Sequence, residues 1–99
     1  MTHEVRWSST AREHIQSIAR YIARNSPVYA ERWADRILSR AEQIARFPES
    51  GRHVPGAQPN VRELIEGEYR IIYLVQPSQI DILAVIHGRR EVRRIDPQK

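Results

Sequence analysis

The chain of 99 residues contains no cysteine, which excludes disulfides, thiolate metal ligands and cysteine nucleophiles. Lysine occurs once, at Lys99, so its positive charge is otherwise carried by arginine. Long apolar runs are absent too. The longest, residues 80–86, is interrupted by Asp81 and falls far short of the about 18 residues that a membrane-spanning helix needs. The first ten residues, MTHEVRWSST, hold no apolar stretch of the kind that marks a secretory leader. There is no glycine-rich phosphate loop and no pair of histidines at metal-binding spacing; His3, His14, His53 and His87 are scattered. No cofactor and no metal are expected. These absences fit a protein of the reducing cytoplasm.

What remains is an ordinary soluble balance. Hydrophobic residues make up 40% and charged residues 28%, enough apolar side chain for one domain, 1–99, with one modest core. The net charge of +4 comes from 16 basic and 12 acidic side chains. It permits contact with nucleic acid and equally with an acidic protein. Because the cations are guanidinium groups, bidentate contacts with carboxylate or phosphate are the chemistry to expect.

Residues 3–7 alternate His3, Val5 and Trp7 against Glu4 and Arg6, the period of a half-buried strand. Thr10 and Glu13 then have capping-box spacing, predicting a helix to about Asn25 with Ala11, Ile15, Ile18, Ala19 and Ile22 on one face. Asn25-Ser26-Pro27 breaks it. Ser26 is placed to cap a second helix, with Pro27 at the first position, where no amide donor is needed. That helix runs to about Arg46 with a stripe of Ala30, Trp33, Ala34, Ile37, Leu38, Ala41, Ile44 and Ala45. Arg32, Arg36 and Arg40 form a basic row on it, either a docking face or a solvated surface paired with Glu31, Asp35 and Glu42.

The stretch FPESGRHVPGAQPN, residues 47–60, has three prolines and two glycines and predicts an irregular loop. Arg52 and His53 there are either ligand contacts or part of a connection across the core edge. Strands follow at residues 61–65, 69–76 and 80–87, joined tightly enough to form an antiparallel meander. Parity puts Tyr69, Ile71, Tyr73 and Val75 on one face and Arg70, Ile72 and Leu74 on the other. It likewise opposes Ile80, Ile82, Ala84 and Ile86 to Asp81, Leu83, Val85 and His87. Both faces are largely apolar. One meets the helices, and the other is expected to be an exposed apolar strip rimmed with arginine, suited to a peptide or a second copy. The fold class is therefore α+β, in the order β-α-α-β-β-β, with a helical hairpin packed on an antiparallel sheet.

The candidate site residues lie near the strand ends and in the basic tail: Arg62, Arg70, His87, Arg89, Arg90, Arg93 and Arg94. Arg62, Arg70 and His87 are expected to converge at one rim of the sheet. Arginines there suit phosphate or an acidic partner, and a histidine exchanges protons near neutral pH. The alternative is that Arg70 pairs with Glu63, Glu66 or Glu68 and that His87 merely ends a strand.

The segments FPESGR, VREL, YRIIYLV and ILAVIHGRRE, in that order after a helical hairpin, are similar to the ParE/RelE superfamily of bacterial type II toxins. The resemblance covers nearly the whole chain. It implies a cytoplasmic growth-inhibiting toxin of a plasmid-stabilising module, held in a hetero-oligomer by an acidic, ParD-like antitoxin laid over the helix hairpin and the basic sheet surface. ParE-like members inhibit DNA gyrase; RelE-like members cleave mRNA on the ribosome. Arg70 matches the arginine of the nucleases' YR motif, Arg90 their later catalytic arginine, and His87 a C-terminal histidine of some of them. The nuclease set is incomplete. Val61 and Glu63 stand where those enzymes carry lysines, Asp96 stands near their tyrosine, and no aromatic follows His87. The resemblance thus points to the ParE-like branch, a gyrase inhibitor and not an enzyme. A RelE-like endoribonuclease using Arg70, His87 and Arg90 is the alternative, and an inactive binding module the third reading.

Overall fold

The computed structural model of the chain describes residues 2–88. Strand β1 (Glu4–Trp7) leads into helix α1 (Ser9–Ala23) and helix α2 (Pro27–Arg46). A short 3-10 turn (Pro48–Ser50) and a two-residue strand β2 (Arg52–His53) follow. The meander is β3 (Val61–Glu66), β4 (Tyr69–Val75) and β5 (Gln79–His87). The sheet order is β1-β5-β4-β3-β2.

The meander forms as its turn residues dictate. Gly67 bridges β3 and β4 at φ +60°, a conformation a side chain resists. Two expectations need correction. The sheet is mixed, because β1 lies parallel to β5, with the Glu4 N–H donating to the Ser78 carbonyl (3.0 Å) and the Ser8 N–H to that of Ile82 (3.0 Å). The loop also contains order: β2 adds antiparallel to β3, pairing Arg52 with Glu63 and His53 with Arg62. Its prolines and glycines exclude long elements but not a 3-10 turn and one pair of ladder positions.

Parity holds along β4 and fails along β5. Register passes from Ile72↔Ala84 to Tyr73↔Ile82, so Leu83 is an extra residue, a β-bulge. Ile80, Ile82 and Val85 consequently face the helices, whereas Leu83, Ala84 and Ile86 face away. The bulge takes backbone groups out of the ladder, and α1 supplies partners. The Ser8 hydroxyl donates to the Leu83 carbonyl (3.0 Å), and the Val85 N–H donates to Nδ1 of His14 (3.2 Å). The same Ser8 oxygen accepts from the Ala11 N–H (3.0 Å), so Ser8, not Thr10, caps α1. Ser26 caps α2 as the sequence indicates, with Pro27 first in the helix.

The main core lies between hairpin and sheet, where Ala11, Trp33, Ile37 and Ile44 meet Ile71, Tyr73, Ile80 and Ile82. Leu38, expected in the stripe of α2, is exposed. The far face of the sheet is not the bare strip anticipated. Ile72 is 1% and Ile86 2% exposed, and Val54 and Ala57 of the 47–60 loop pack against this second cluster. No described helix is long and apolar enough to cross a membrane.

Ser8 is thus a single side chain joining a helix cap to a strand bulge. Ser8→Ala should lower stability by about 1–2 kcal/mol, the sum of a lost cap and an orphaned carbonyl partner. Urea denaturation should show a lower midpoint at unchanged slope.

Candidate functional site

Strand β3 alternates faces, and each face carries one glutamate that gathers arginines. Glu63 points away from the helices and is buried, with a side chain 1% exposed. Its Oε1 accepts from Arg70 Nη1 at 2.6 Å and its Oε2 from Arg52 Nε at 2.8 Å. Glu66 points toward α2 and takes Arg36 Nε at 3.2 Å and Arg40 Nε at 2.8 Å. Arg40 also donates to Gln43 Oε1 at 2.9 Å, and the Arg36 guanidinium lies over the Tyr29 ring at 5.4 Å. The basic row of α2 is therefore tied to the sheet by its last two members, not to the acids of its own helix. Sequence spacing reveals partners within a helix and misses one supplied by a strand.

The segment before β2 is fastened from below. Tyr73, wholly buried in the central strand, donates its hydroxyl hydrogen to the Pro48 carbonyl (2.7 Å) and accepts from the Gly51 N–H (2.9 Å). Arg62 Nη1 donates to the Gly51 carbonyl at 2.6 Å. A Cβ on Gly51 would sit 2.3 Å from the Glu63 carbonyl oxygen and 2.7 Å from the Tyr73 hydroxyl, so this glycine is required by space. Burial raises the Tyr73 pKa, opposed by the Gly51 N–H and the Arg62 charge.

The expected convergence of Arg62, Arg70 and His87 does not form. Arg62 opposes Tyr73 at one end of the meander, with Nη2 3.5 Å from His53 Nε2. Arg70 and His87 lie toward the other end, and alternation sends Arg70 to the far face and His87 to the helix face. There the His87 ring meets Tyr69 edge-on at 5.8 Å, and its Nε2 is 3.6 Å from Glu68 Oε1. Tyr69 in turn packs edge-on against Trp33 at 5.4 Å, and burial, then Glu68, Tyr21 and Tyr29, raise its pKa. Arg89, Arg90, Arg93 and Arg94 lie outside the described residues. Among the described residues no three acidic or histidine side chains are grouped to hold a metal.

The alternative pairing of Arg70 with Glu63 is the one that forms, whereas the roles of Tyr73 and Gly51 were not singled out in the sequence. Their signal was present in FPESGR, VREL and YRIIYLV, which the fold brings into contact.

A helical hairpin over one face of a five-stranded mixed sheet, with an arginine-clamped third strand, defines a small α+β domain of the ParE/RelE kind. Residues 5–92 match the family model of the ParE toxin of the type II toxin-antitoxin system, parDE. The chain is 32% identical over 89 residues to Y4kP of Sinorhizobium fredii, covering 88% of this chain and 90% of that protein. It is 33% identical over 88 residues to the toxin RelE2 of Caulobacter vibrioides, covering 88% and 97%. Its fold superposes on a chain of the chromosomal ParDE toxin–antitoxin system of P. aeruginosa with a TM-score of 0.71 at 20% identity, over 87% of this chain and 96% of that one. The chain belongs to the ParE toxin family of type II toxin–antitoxin systems.

Two predictions follow from the clamps. Glu63→Ala removes the buried carboxylate shared by Arg70 and Arg52 and should cost about 3–5 kcal/mol, whereas Arg52→Ala, at a side chain 74% exposed, should cost under about 1 kcal/mol. Urea midpoints of the two variants check this ordering. For Tyr73 the folded state keeps its proton above pH 10 while the unfolded chain releases it. Stability therefore falls as pH rises past about 10. Tyr73→Phe should flatten that alkaline slope, leaving the part due to Tyr69, and should lower neutral-pH stability by about 1–3 kcal/mol through the unpaired Gly51 N–H. Thermal melts across pH 8 to about 11 read both effects.

Proposed function

We propose that this toxin arrests growth in the cytoplasm by protein–protein contact with DNA gyrase and is neutralised by an acidic, ParD-like antitoxin. The observation that carries the reading is the buried Glu63 beneath Arg70. In a ribonuclease an arginine at that position must offer its charge to phosphate. Here the guanidinium is engaged at 2.6 Å by a buried carboxylate that it shares with Arg52, which lowers its pull on a phosphate. Arg62 stands at the other end of the meander and cannot complete a phosphate clamp with Arg70. His87 is packed edge-on against Tyr69 beside Glu68, on the opposite face of the sheet from Arg70.

A contact mechanism needs none of this convergence. To it we assign Arg62, Arg70, His87, Arg89, Arg90, Arg93 and Arg94 as separate contact points, for which the antitoxin competes. The support for an antitoxin is the family and the ParDE system to which the fold is similar. The RelE2 name of one relative keeps mRNA cleavage as the second reading.

Induction without an antitoxin should arrest growth while transcripts stay intact, and the purified protein should inhibit supercoiling of relaxed plasmid by gyrase. Codon-associated mRNA breaks, with gyrase unaffected at saturating protein, would replace this reading by the ribonuclease one. Unimpaired growth on strong induction would reduce the chain to a binding module.

A further inference from the structure

The 47–60 loop, whose role the sequence left open, forms with the start of β1 and the β4–β5 turn a groove of about 740 Å³. Its walls are apolar and stiff: Phe47, Pro48, Pro59, Val75 and Pro77. Phe47 is 65% exposed, unusual for a phenylalanine that closes a helix. The charged lining is mainly basic. Arg46 and Arg62 are joined by His3 and His53, against one carboxylate, Glu49. The groove lies at the Arg62 end of the meander, away from Arg70 and His87.

The groove is also built in advance. Tyr73 holds the Pro48 carbonyl and the Gly51 N–H, and Arg62 holds the Gly51 carbonyl. The Asn60 side chain donates to the Val75 carbonyl at 3.3 Å, and the Val75 N–H donates to the Asn60 carbonyl at 2.9 Å, closing the opposite wall. A rigid site of this kind binds without an ordering penalty of its own.

We propose that this groove docks an extended acidic segment of a protein partner, with one large apolar side chain of that segment seated against Phe47 and its carboxylates on Arg46 and Arg62. The charge balance selects an acidic occupant. The walls select a peptide over nucleic acid, because a nucleic-acid track needs a succession of phosphate contacts and stacked aromatics, and the lining offers two arginines and one phenyl ring. The assignment does not depend on the gyrase reading. It adds a second contact surface, at the other end of the sheet from Arg70 and His87.

The test is fluorescence anisotropy on the purified full chain with a fluorescein-labelled peptide in which glutamates flank a single leucine. A peptide with serine for the leucine and a labelled oligothymidine strand serve as comparisons. Saturable binding is expected, weakened about tenfold or more by Arg46→Glu and by Phe47→Ala, both at exposed positions that leave the fold intact. It should be unchanged in Arg32→Glu, a charge reversal of the same size on the exposed face of α2. The proposal is overturned by absence of saturation, by equal loss in Arg32→Glu, by indifference to the leucine, or by tighter binding of oligothymidine. Because the assay reads binding alone, it can fail while growth arrest and gyrase inhibition stand, and the converse.

Discussion

One phenol decides where the loop of this protein goes. Tyr73 sits in the middle of the central strand with no exposure, and its oxygen is paired on both sides by the backbone of residues 48 and 51. A buried hydroxyl without partners would be costly, so the chain leaving α2 has to return over the sheet at this point. Once there, Gly51 fits against Glu63 only because it has no Cβ. The next residue, Arg52, then falls beside the Glu63 carboxylate. The motif FPESGR is thus a sequence of physical requirements: a helix end, a tight turn on Tyr73, a residue without a side chain, and a cation for a buried acid.

From the same point the two faces of β3 diverge. Glu63 draws together β2 and β4 on the far side, and Glu66 draws α2 onto the near side. Four arginines are engaged by two carboxylates on one strand. The partly buried members of these pairs contribute more than the exposed ones, because water screens an exposed guanidinium on its other sides. Arginine enrichment in this chain is therefore partly architectural, and a basic composition by itself says little about an anion ligand. Arg46 and Arg62, the cations facing the 47–60 groove, have no carboxylate paired with them among the described residues.

The helical hairpin was legible because its signals are local. Ser26 and Pro27 mark a start, and the apolar period marks a face. The meander was legible for the same reason, from Gly67 and from alternation in β4. What could not be read depends on long-range partners. The bulge at Leu83 leaves no trace in periodicity, since both faces there are apolar, and it shifted every later residue of β5 to the opposite side. Its cost is offset by Ser8 and His14, far away in sequence. The parallel β1, the two-residue β2 and the pairing of α2 with Glu66 likewise depend on elements meeting from separate parts of the chain. Arg62, Arg70 and His87 do lie near strand ends, as expected. Their assembly at one rim failed, because Arg62 and Arg70 lie at opposite ends of the meander and on opposite faces.

That separation bears directly on what the sheet can do. At a position where resemblance to the nucleases would place a lysine, this chain carries Glu63. A lysine there would add a further cation beside Arg70 and raise the local potential toward phosphate. The carboxylate instead pairs with both Arg70 and Arg52 in a site with little water, where the attraction is strongest and least screened. Two guanidinium groups against one carboxylate leave a single positive charge there, where a lysine would have left three. Glu63 thus makes this part of β3 a clamp that ties β2 and β4 together across one strand.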